Sequence, residues 1–262
     1  MQIEDFFHPS ILKNKNIIVT GGGSGIGFSI ANAASKFGAN LIIVGRNEKK
    51  LKKAVKSFKK SIDQHHKYFT CDLSSFNKSN KLFNQLRTDY SHINGIVWSA
   101  GSELIKSTRI ISDEDVMKTF GASNFGFLGA AKSFTSNRFW KNNQGSIVII
   151  SSIASKKSMP GMAIYGASKS SYSGMLSPLA KELSGFNTRI NSLLLGAVKT
   201  NMHRRILKQT SSKALVDYEN RHLFGFGETS DVYPTVIFLL SDLSRWITGS
   251  ELVVDGGYSA NF

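Results

Sequence analysis

The chain has 262 residues, 41% of them hydrophobic, which suits one large α/β domain with a sizeable core better than two small ones. Its 33 Lys+Arg stand against 18 Asp+Glu, a formal charge of +15, and its single cysteine, Cys71, excludes an intramolecular disulfide and points to a reducing, cytoplasmic home. No apolar run reaches the ~18 residues that a membrane helix needs, and Met1–Asn16 lacks the charged-then-apolar layout of a signal peptide, so a soluble, unprocessed protein is expected.

The first element is the run Ile17-Ile18-Val19-Thr20, which flows into Gly21-Gly22-Gly23-Ser24-Gly25-Ile26-Gly27 and then into a helical pattern of Ile26, Ile30, Ala33, Ala34 and Phe37, with Gly38 at the capping position. Strand, glycine loop and helix N-terminus in succession make an anion cradle: the loop backbone approaches closely, and unpaired N–H groups face whatever fills it. A dinucleotide pyrophosphate meets that demand, with Gly21, Gly23, Ser24, Gly25, Ile26 and Gly27 as its contacts.

Asn40 to Val44 reads as a second buried strand, followed by Gly45-Arg46-Asn47. An acidic residue at this place holds the adenosine ribose of NAD, whereas Arg accommodates the phosphate of NADP. Arg46 therefore favours NADP(H), unless it merely ends the strand in solvent. The lysines 49, 50, 52, 53, 56, 59 and 60 interleave with Leu51, Val55, Phe58 and Ile62 at helical spacing, an amphipathic surface helix. No nucleic-acid module accompanies them, so neither nucleic acid nor membrane is an expected partner.

Lys67 to Cys71 reads as the third strand. It ends in Asp72, which either meets adenine or simply forms a turn. A helix from Ser75 to about Asp89 leads to the fourth strand, Gly95 to Trp98, whose small following residues Ser99, Ala100 and Gly101 let a cofactor ribose lie against the backbone. One long helical stretch is expected from about Asp113 to Trp140, then a fifth strand to Ser151, with Ser152 at its end. Further strands at Arg189–Leu194 and Glu251–Asp255 complete a doubly wound, seven-stranded parallel sheet with helices on both faces.

Tyr165 and Lys169 stand four residues apart, on one face of a helix running from about Ala163 to Leu183. A nearby cation lowers a phenol's pKa, so Tyr165 is the candidate general acid/base, with Ser152 as hydrogen-bond donor to the reacting oxygen. Pro178 lies inside that helix, where it should cost the Gly174 carbonyl its partner and bend the segment beyond, redirecting Leu179–Leu183 and the surface offered to a neighbouring subunit.

Together Thr20-Gly21-x-x-x-Gly25-x-Gly27, Ser152, Tyr165-x-x-x-Lys169, Asn191 and Val254-Asp255-Gly256-Gly257 resemble the short-chain dehydrogenase/reductase family over nearly the whole chain. The resemblance implies a single Rossmann domain spanning residues 1–262, frequently a homotetramer or dimer, that reduces a carbonyl or oxidises an alcohol. It makes Lys169 and Tyr165 cofactor contacts as well as catalytic ones, gives Asp72 and Leu73 the adenine, and takes in Ser99, Ala100, Gly101, Gly196, Val198 and Thr200. 3-Oxoacyl carrier protein reductases and enzymes of surface-polysaccharide clusters are the most similar in feel.

Three departures stand out. Trp98-Ser99-Ala100-Gly101 replaces the usual Asn-Asn-Ala-Gly, and Leu195-Gly196 replaces Pro-Gly. The family's catalytic helix Asn falls by register at Ser123; Asn124, one place along, is rotated by roughly 100° and cannot stand in unless the helix is bulged. Residues 200–227 form the expected substrate lid. Its His203, Arg204, Arg205, Lys208, Lys213, Arg221 and His222 are either a solvated face or a basic cover for an anionic substrate, such as an acyl thioester or a nucleotide-linked sugar. The competing expectation is a nucleotide-binding protein with little turnover, serving as sensor or assembly partner.

Overall fold

The computed structural model describes residues 7–140, 144–207 and 212–261. Strands β1 (Asn16–Thr20), β2 (Asn40–Gly45) and β3 (His66–Thr70) alternate with helices α1 (Gly25–Lys36), α2 (Glu48–Ser57) and α3 (Phe76–Asp89). After β4 (Gly95–Trp98) come α4 (Asp113–Phe120), α5 (Gly126–Phe134) and the short α6 (Asn137–Trp140). The remaining elements are β5 (Gly145–Ser152), α7 (Ala163–Ser184), β6 (Thr188–Leu195), α8 (Asn201–Leu207), α9 (Ser212–Asn220), α10 (Thr229–Leu240) and β7 (Glu251–Val254).

The seven strands form one parallel sheet in the order β3-β2-β1-β4-β5-β6-β7. Because side chains alternate across a strand, Ile17 and Val19 face one core while Ile18 faces the other. The first core packs the sheet beneath α1, α2 and α10; the second packs it beneath α3, α5 and α7. Both faces are covered, which is why the central strands are continuous apolar runs rather than alternating ones. Strand order reverses between β1 and β4, and such a switch point opens a crevice at the strand carboxyl ends.

Several local expectations need correction. The lysine-rich helix ends at Ser57: Asn47 caps it by accepting a bond from Lys50 N at 3.0 Å, and Leu51 and Ala54 are buried. Lys59, Lys60 and Ile62 lie beyond its end, with Ile62 97% exposed and so no part of an apolar face. The single helix expected over Asp113–Trp140 is broken. Ser112 and Asp115 form a capping box at the start of α4, a π-turn spans Gly121–Phe125, and α5 and α6 follow. By contrast α7 continues unbroken past Lys169 and through Pro178. Leu179 and Leu183 are buried in this chain's own core, so they form no part of a surface for a neighbour. Among the described residues no helix is long and apolar enough to cross a membrane.

Candidate active site

The glycine loop is shaped by close approaches that leave no room for side chains. Gly21 has φ +69°, donates its N–H to the Val44 carbonyl at 2.8 Å, and a Cβ there would lie 3.0 Å from the Ser99 carbonyl oxygen. At Gly27 a Cβ would come within 2.6 Å of the Gly21 oxygen, so the first turn of α1 sits directly on the loop. Thr20 ties the loop to β4: its hydroxyl accepts from Ser99 N at 3.0 Å and Ala100 N at 3.1 Å. A Cβ on Gly23 would lie 3.3 Å from the Leu51 side chain, and one on Gly25 would lie 3.8 Å from the methyl of Thr200. Ser24 is the N-cap of α1 but its side chain makes no capping bond, which leaves the N–H groups of Gly25, Ile26 and Gly27 directed at the loop mouth without an intrahelical acceptor. Such a cradle fits a dinucleotide pyrophosphate.

At the outer end of the crevice Arg46 is exposed just past β2. Asp72 accepts from Ser74 N at 3.1 Å and from the Ser74 hydroxyl at 2.8 Å, so it does form the turn after β3. Partial burial pushes its carboxyl up, but the Ser74 bonds and the charges of Arg46 and Lys78 outweigh that and hold it below the ordinary carboxylate range. Arg46 and Asp72 thus share one neighbourhood. Leu73 is buried beneath α5, where a Cβ on Gly126 would collide with its carbonyl, so its side chain is core and only its backbone is available to a ligand. Trp98 is likewise core: its indole N–H donates to the Ala122 carbonyl at 3.2 Å and its ring lies edge-on to Phe127. The indole therefore does not replace an amide in the crevice.

Ser152 closes β5, where its hydroxyl accepts from Ala154 N at 3.2 Å and donates to the Leu195 carbonyl at 3.4 Å, near the Tyr165 phenol. Tyr165 lies in the first turn of α7, and Lys169 one turn on, 7% exposed. The Lys169 ammonium donates to the Ile150 carbonyl at 3.2 Å and stands 5.8 Å from the Tyr165 ring centre. Burial pushes Lys169 down to about 8 against the opposing pull of Glu103. The expectation that Lys169 lowers the Tyr165 pKa is not met in this arrangement. Burial, then Glu103, then Tyr218 push the phenol above its usual range, and only the nearby Ser152 hydroxyl works the other way.

The π-turn decides which residue of the Ser123–Asn124 pair faces this centre. A Cβ on Gly101 would lie 3.0 Å from the Ser123 hydroxyl and 3.5 Å from the Lys169 ammonium, so both groups flank one point. The Ser123 hydroxyl is buried with no hydrogen-bond partner among the described residues. Asn124 instead donates to the Ser168 carbonyl at 2.9 Å and to the Ser171 hydroxyl, clamping the turn to α7, while the Tyr172 phenol donates to the Ser123 carbonyl. The bulge exists, yet it does not bring Asn124 into the site.

The family model described as enoyl-(acyl carrier protein) reductase matches residues 21–259, nearly the whole chain. The chain is a short-chain dehydrogenase/reductase. It is 30% identical over 248 residues to a 3-oxoacyl-(acyl-carrier-protein) reductase of Chlamydia muridarum, covering 95% of this chain and 98% of that one. To an L-xylulose reductase of Caenorhabditis elegans it is 32% identical over 248 residues, covering 95% and 97%. A short-chain type dehydrogenase/reductase from Mycobacterium ulcerans superposes with a TM-score of 0.84 at 28% identity, covering 95% of this chain and 91% of that one. As a member of this family the chain is an oxidoreductase of the NAD(P)-dependent kind.

In this dehydrogenase/reductase the segment after β6 packs more like core than like a solvated cover. Gly196 abuts Asp255, where a Cβ would meet its Cα at 2.8 Å; Val198 is buried and bridges to Gly227; and Thr200 caps α8 by accepting from His203 N at 3.2 Å. His203 and His222 join Tyr218, Phe226 and Tyr258 in an aromatic cluster, with His203 and Phe226 ring centres 4.9 Å apart. His222 Nε2 accepts from Ala197 N at 3.1 Å while Nδ1 meets the Tyr218 carbonyl at 3.1 Å, an arrangement that suits the neutral ring. Burial pushes both histidines below the usual imidazole range, so neither is a cation for an anionic substrate. Arg204 and Arg221 are exposed, and the side chains of Arg205, Lys208 and Lys213 lie outside the described residues.

One group at the site escaped sequence reasoning. Glu103, half-buried on the loop past Gly101, acts electrostatically on Tyr165, Lys169 and Tyr218. An acid just beyond the small residues that end the fourth strand was its only signal.

Proposed function

We propose that this chain is an NADP(H)-dependent oxidoreductase that moves a hydride between the nicotinamide and a carbonyl or secondary alcohol, with Tyr165 as general acid/base. The observation that carries this reading is the Lys169 ammonium 5.8 Å from the Tyr165 ring, with Ser152 at the carboxyl end of β5 and the glycine cradle across the switch point. When bound, the dinucleotide supplies or accepts the hydride. Gly21, Gly23, Ser24, Gly25, Ile26 and Gly27 hold its pyrophosphate, Asp72 and the Leu73 backbone its adenine, Arg46 its ribose phosphate, and Ser99, Ala100, Gly101, Gly196, Val198 and Thr200 its remaining length.

Ser152 donates a hydrogen bond to the substrate oxygen, and Tyr165 gives that oxygen a proton during reduction. A phenol held above its usual pKa is fully protonated at neutral pH and so ready as the acid. Lys169 orients the cofactor ribose, and Ser123 offers a hydroxyl to the same polar pocket in place of the usual amide. The preference for NADP(H) over NAD(H) rests on Arg46 at the end of β2 with no carboxylate beside it on that strand. Self-association as a dimer or tetramer is supported by exposed Leu243, Trp246 and Val253 beside the edge strand β7, and a cytoplasmic setting by the unpaired Cys71.

Tyr165→Phe tests the reading. Turnover of a ketone with NADPH should fall more than about a hundredfold, the usual contribution of general acid catalysis, with NADPH affinity nearly unchanged. A residual rate above about a hundredth of the parent's gives the proton to another group. NADPH binding without turnover of any ketone by the parent enzyme favours the sensor or assembly role.

A further inference from the structure

Glu251 opens the edge strand β7, in register with Ser192 of β6, and its two carboxylate oxygens serve two different segments. Oε2 meets the Lys156 ammonium at 2.8 Å, and Oε1 accepts from the Ser173 hydroxyl. Lys156 stands four residues past Ser152, directly after the short 3-10 turn Ile153–Ser155 that the Ser152 hydroxyl caps. Ser173 stands four residues past Lys169, one turn further along α7. One carboxylate therefore joins the segment that carries Ser152 to the helix that carries Tyr165 and Lys169, and ties both to the sheet.

The Glu251 side chain is 20% exposed. Burial pushes its carboxyl up, but the hydrogen bonds from Lys156 and Ser173 and the charge of Lys156 outweigh that and hold it below the ordinary carboxylate range, so the bridge is charged at neutral pH. Lys156 is half-exposed, and an ion pair open to water on one side adds little to stability. What the bridge supplies is a fixed separation between two segments whose polar groups must meet one atom. Other bonds keep the turn itself folded: the Ser170 hydroxyl donates to the Ser155 carbonyl at 2.7 Å, and the Lys157 ammonium donates to the Ser259 carbonyl at 2.8 Å. Loss of Glu251 should then shift the turn against α7 rather than unfold it.

We propose that Glu251 is a positioning residue: by holding Lys156 and Ser173 on one carboxylate, it sets the Ser152 hydroxyl against the Tyr165 phenol so that both meet the same substrate oxygen. This rests on the oxidoreductase reading above and deepens it. The glycine cradle belongs to β1 and α1 and takes no part in the bridge, so breaking the bridge costs turnover and not cofactor affinity.

The test measures kcat and KM with NADPH for whichever of ethyl acetoacetate, cyclopentanone and 2-butanone the parent reduces fastest, together with NADPH affinity and melting temperature. Glu251→Gln should lower kcat at least about fivefold, toward the roughly hundredfold that a displacement of about 1 Å costs. KM for the ketone, the NADPH dissociation constant and the melting temperature should stay close to the parent's, the pattern of an interaction that matters only in the transition state. Lys156→Met and Ser173→Ala each cut one arm and should each lower kcat by less; the double variant Lys156→Met with Glu251→Gln should be no slower than Glu251→Gln alone, since both changes break one bridge. If Glu251→Gln does not fold, the two single-arm variants carry the same test. A kcat within about twofold of the parent's in Glu251→Gln, or in both single-arm variants, overturns the proposal, because a displacement large enough to matter costs more. A loss of NADPH affinity or of melting temperature that matches the loss of kcat overturns it too, by making Glu251 a strut of the fold. A parent that binds NADPH and reduces none of the three ketones counts instead against the oxidoreductase reading, and this proposal falls with it.

Discussion

At Tyr165 and Lys169 burial, rather than their mutual proximity, sets the protonation states. Lys169 is pushed down to about 8, so its charge is present at neutral pH and is lost as pH rises through that value. If the ammonium orients the cofactor, kcat/KM for reduction should be flat up to about pH 7 and fall above pH 8; Lys169→Ala should be low at every pH and bind NADPH more weakly. At the outer end, Arg46→Ala should weaken NADPH more than NADH by roughly 1.5 to 3 kcal/mol, the contribution of a charged hydrogen bond. Equal losses in parallel titrations would show that Arg46 does not meet the phosphate. Ser152, Tyr165 and Lys169 were legible because strand end and helical spacing put them together. Glu103 was not, because a single acid in a loop has no period, and only the fold brings its charge to bear on Tyr165 and Lys169.

At the scale of elements, the glycine positions separate those the fold requires from those it tolerates. A Cβ on Gly27 would press to 2.6 Å from the Gly21 carbonyl oxygen, so Gly27→Ala must displace the loop from α1 and should weaken NADPH at least tenfold. At Gly174 in the exposed middle of α7, nothing lies within 4 Å of a Cβ, so Gly174→Ala should raise stability by about 0.5 to 1 kcal/mol through helix propensity alone. A urea melt of each variant, with an NADPH titration beside it, reads both effects. Strand positions were legible from their apolar runs and glycine stops. The long helix before β5 was misread because apolar spacing survives a π-turn: Phe120, Phe127 and Phe134 still recur regularly, while the extra residue at Gly121–Phe125 changes which side chain faces Lys169.

Over the whole molecule, the segment after β6 holds two buried histidines, of which His222 accepts from Ala197 N at 3.1 Å. His203 and His222 are pushed below the imidazole range, chiefly by burial, so the unfolded chain takes up protons before the folded one does. Their contribution is fully present above the unfolded pKa of ~6.5 and is lost as pH falls through the folded values, at up to about 1.4 kcal/mol per pH unit for each proton. Denaturant midpoints should therefore drop between pH 7 and pH 5, and His222→Gln should flatten that drop. Sequence composition could not show this, since a buried imidazole and a solvated one are the same letter, and residues 200–227 read as basic. The central claim is that these parts together transfer hydride. It is tested most directly by supplying NADPH deuterated on the nicotinamide C4 and analysing the products of a panel of ketones by mass spectrometry. The account predicts deuterium on the new carbinol carbon in the parent and none above background in Tyr165→Phe. Tight NADPH binding with no deuterium transferred by the parent to any ketone tested would contradict it.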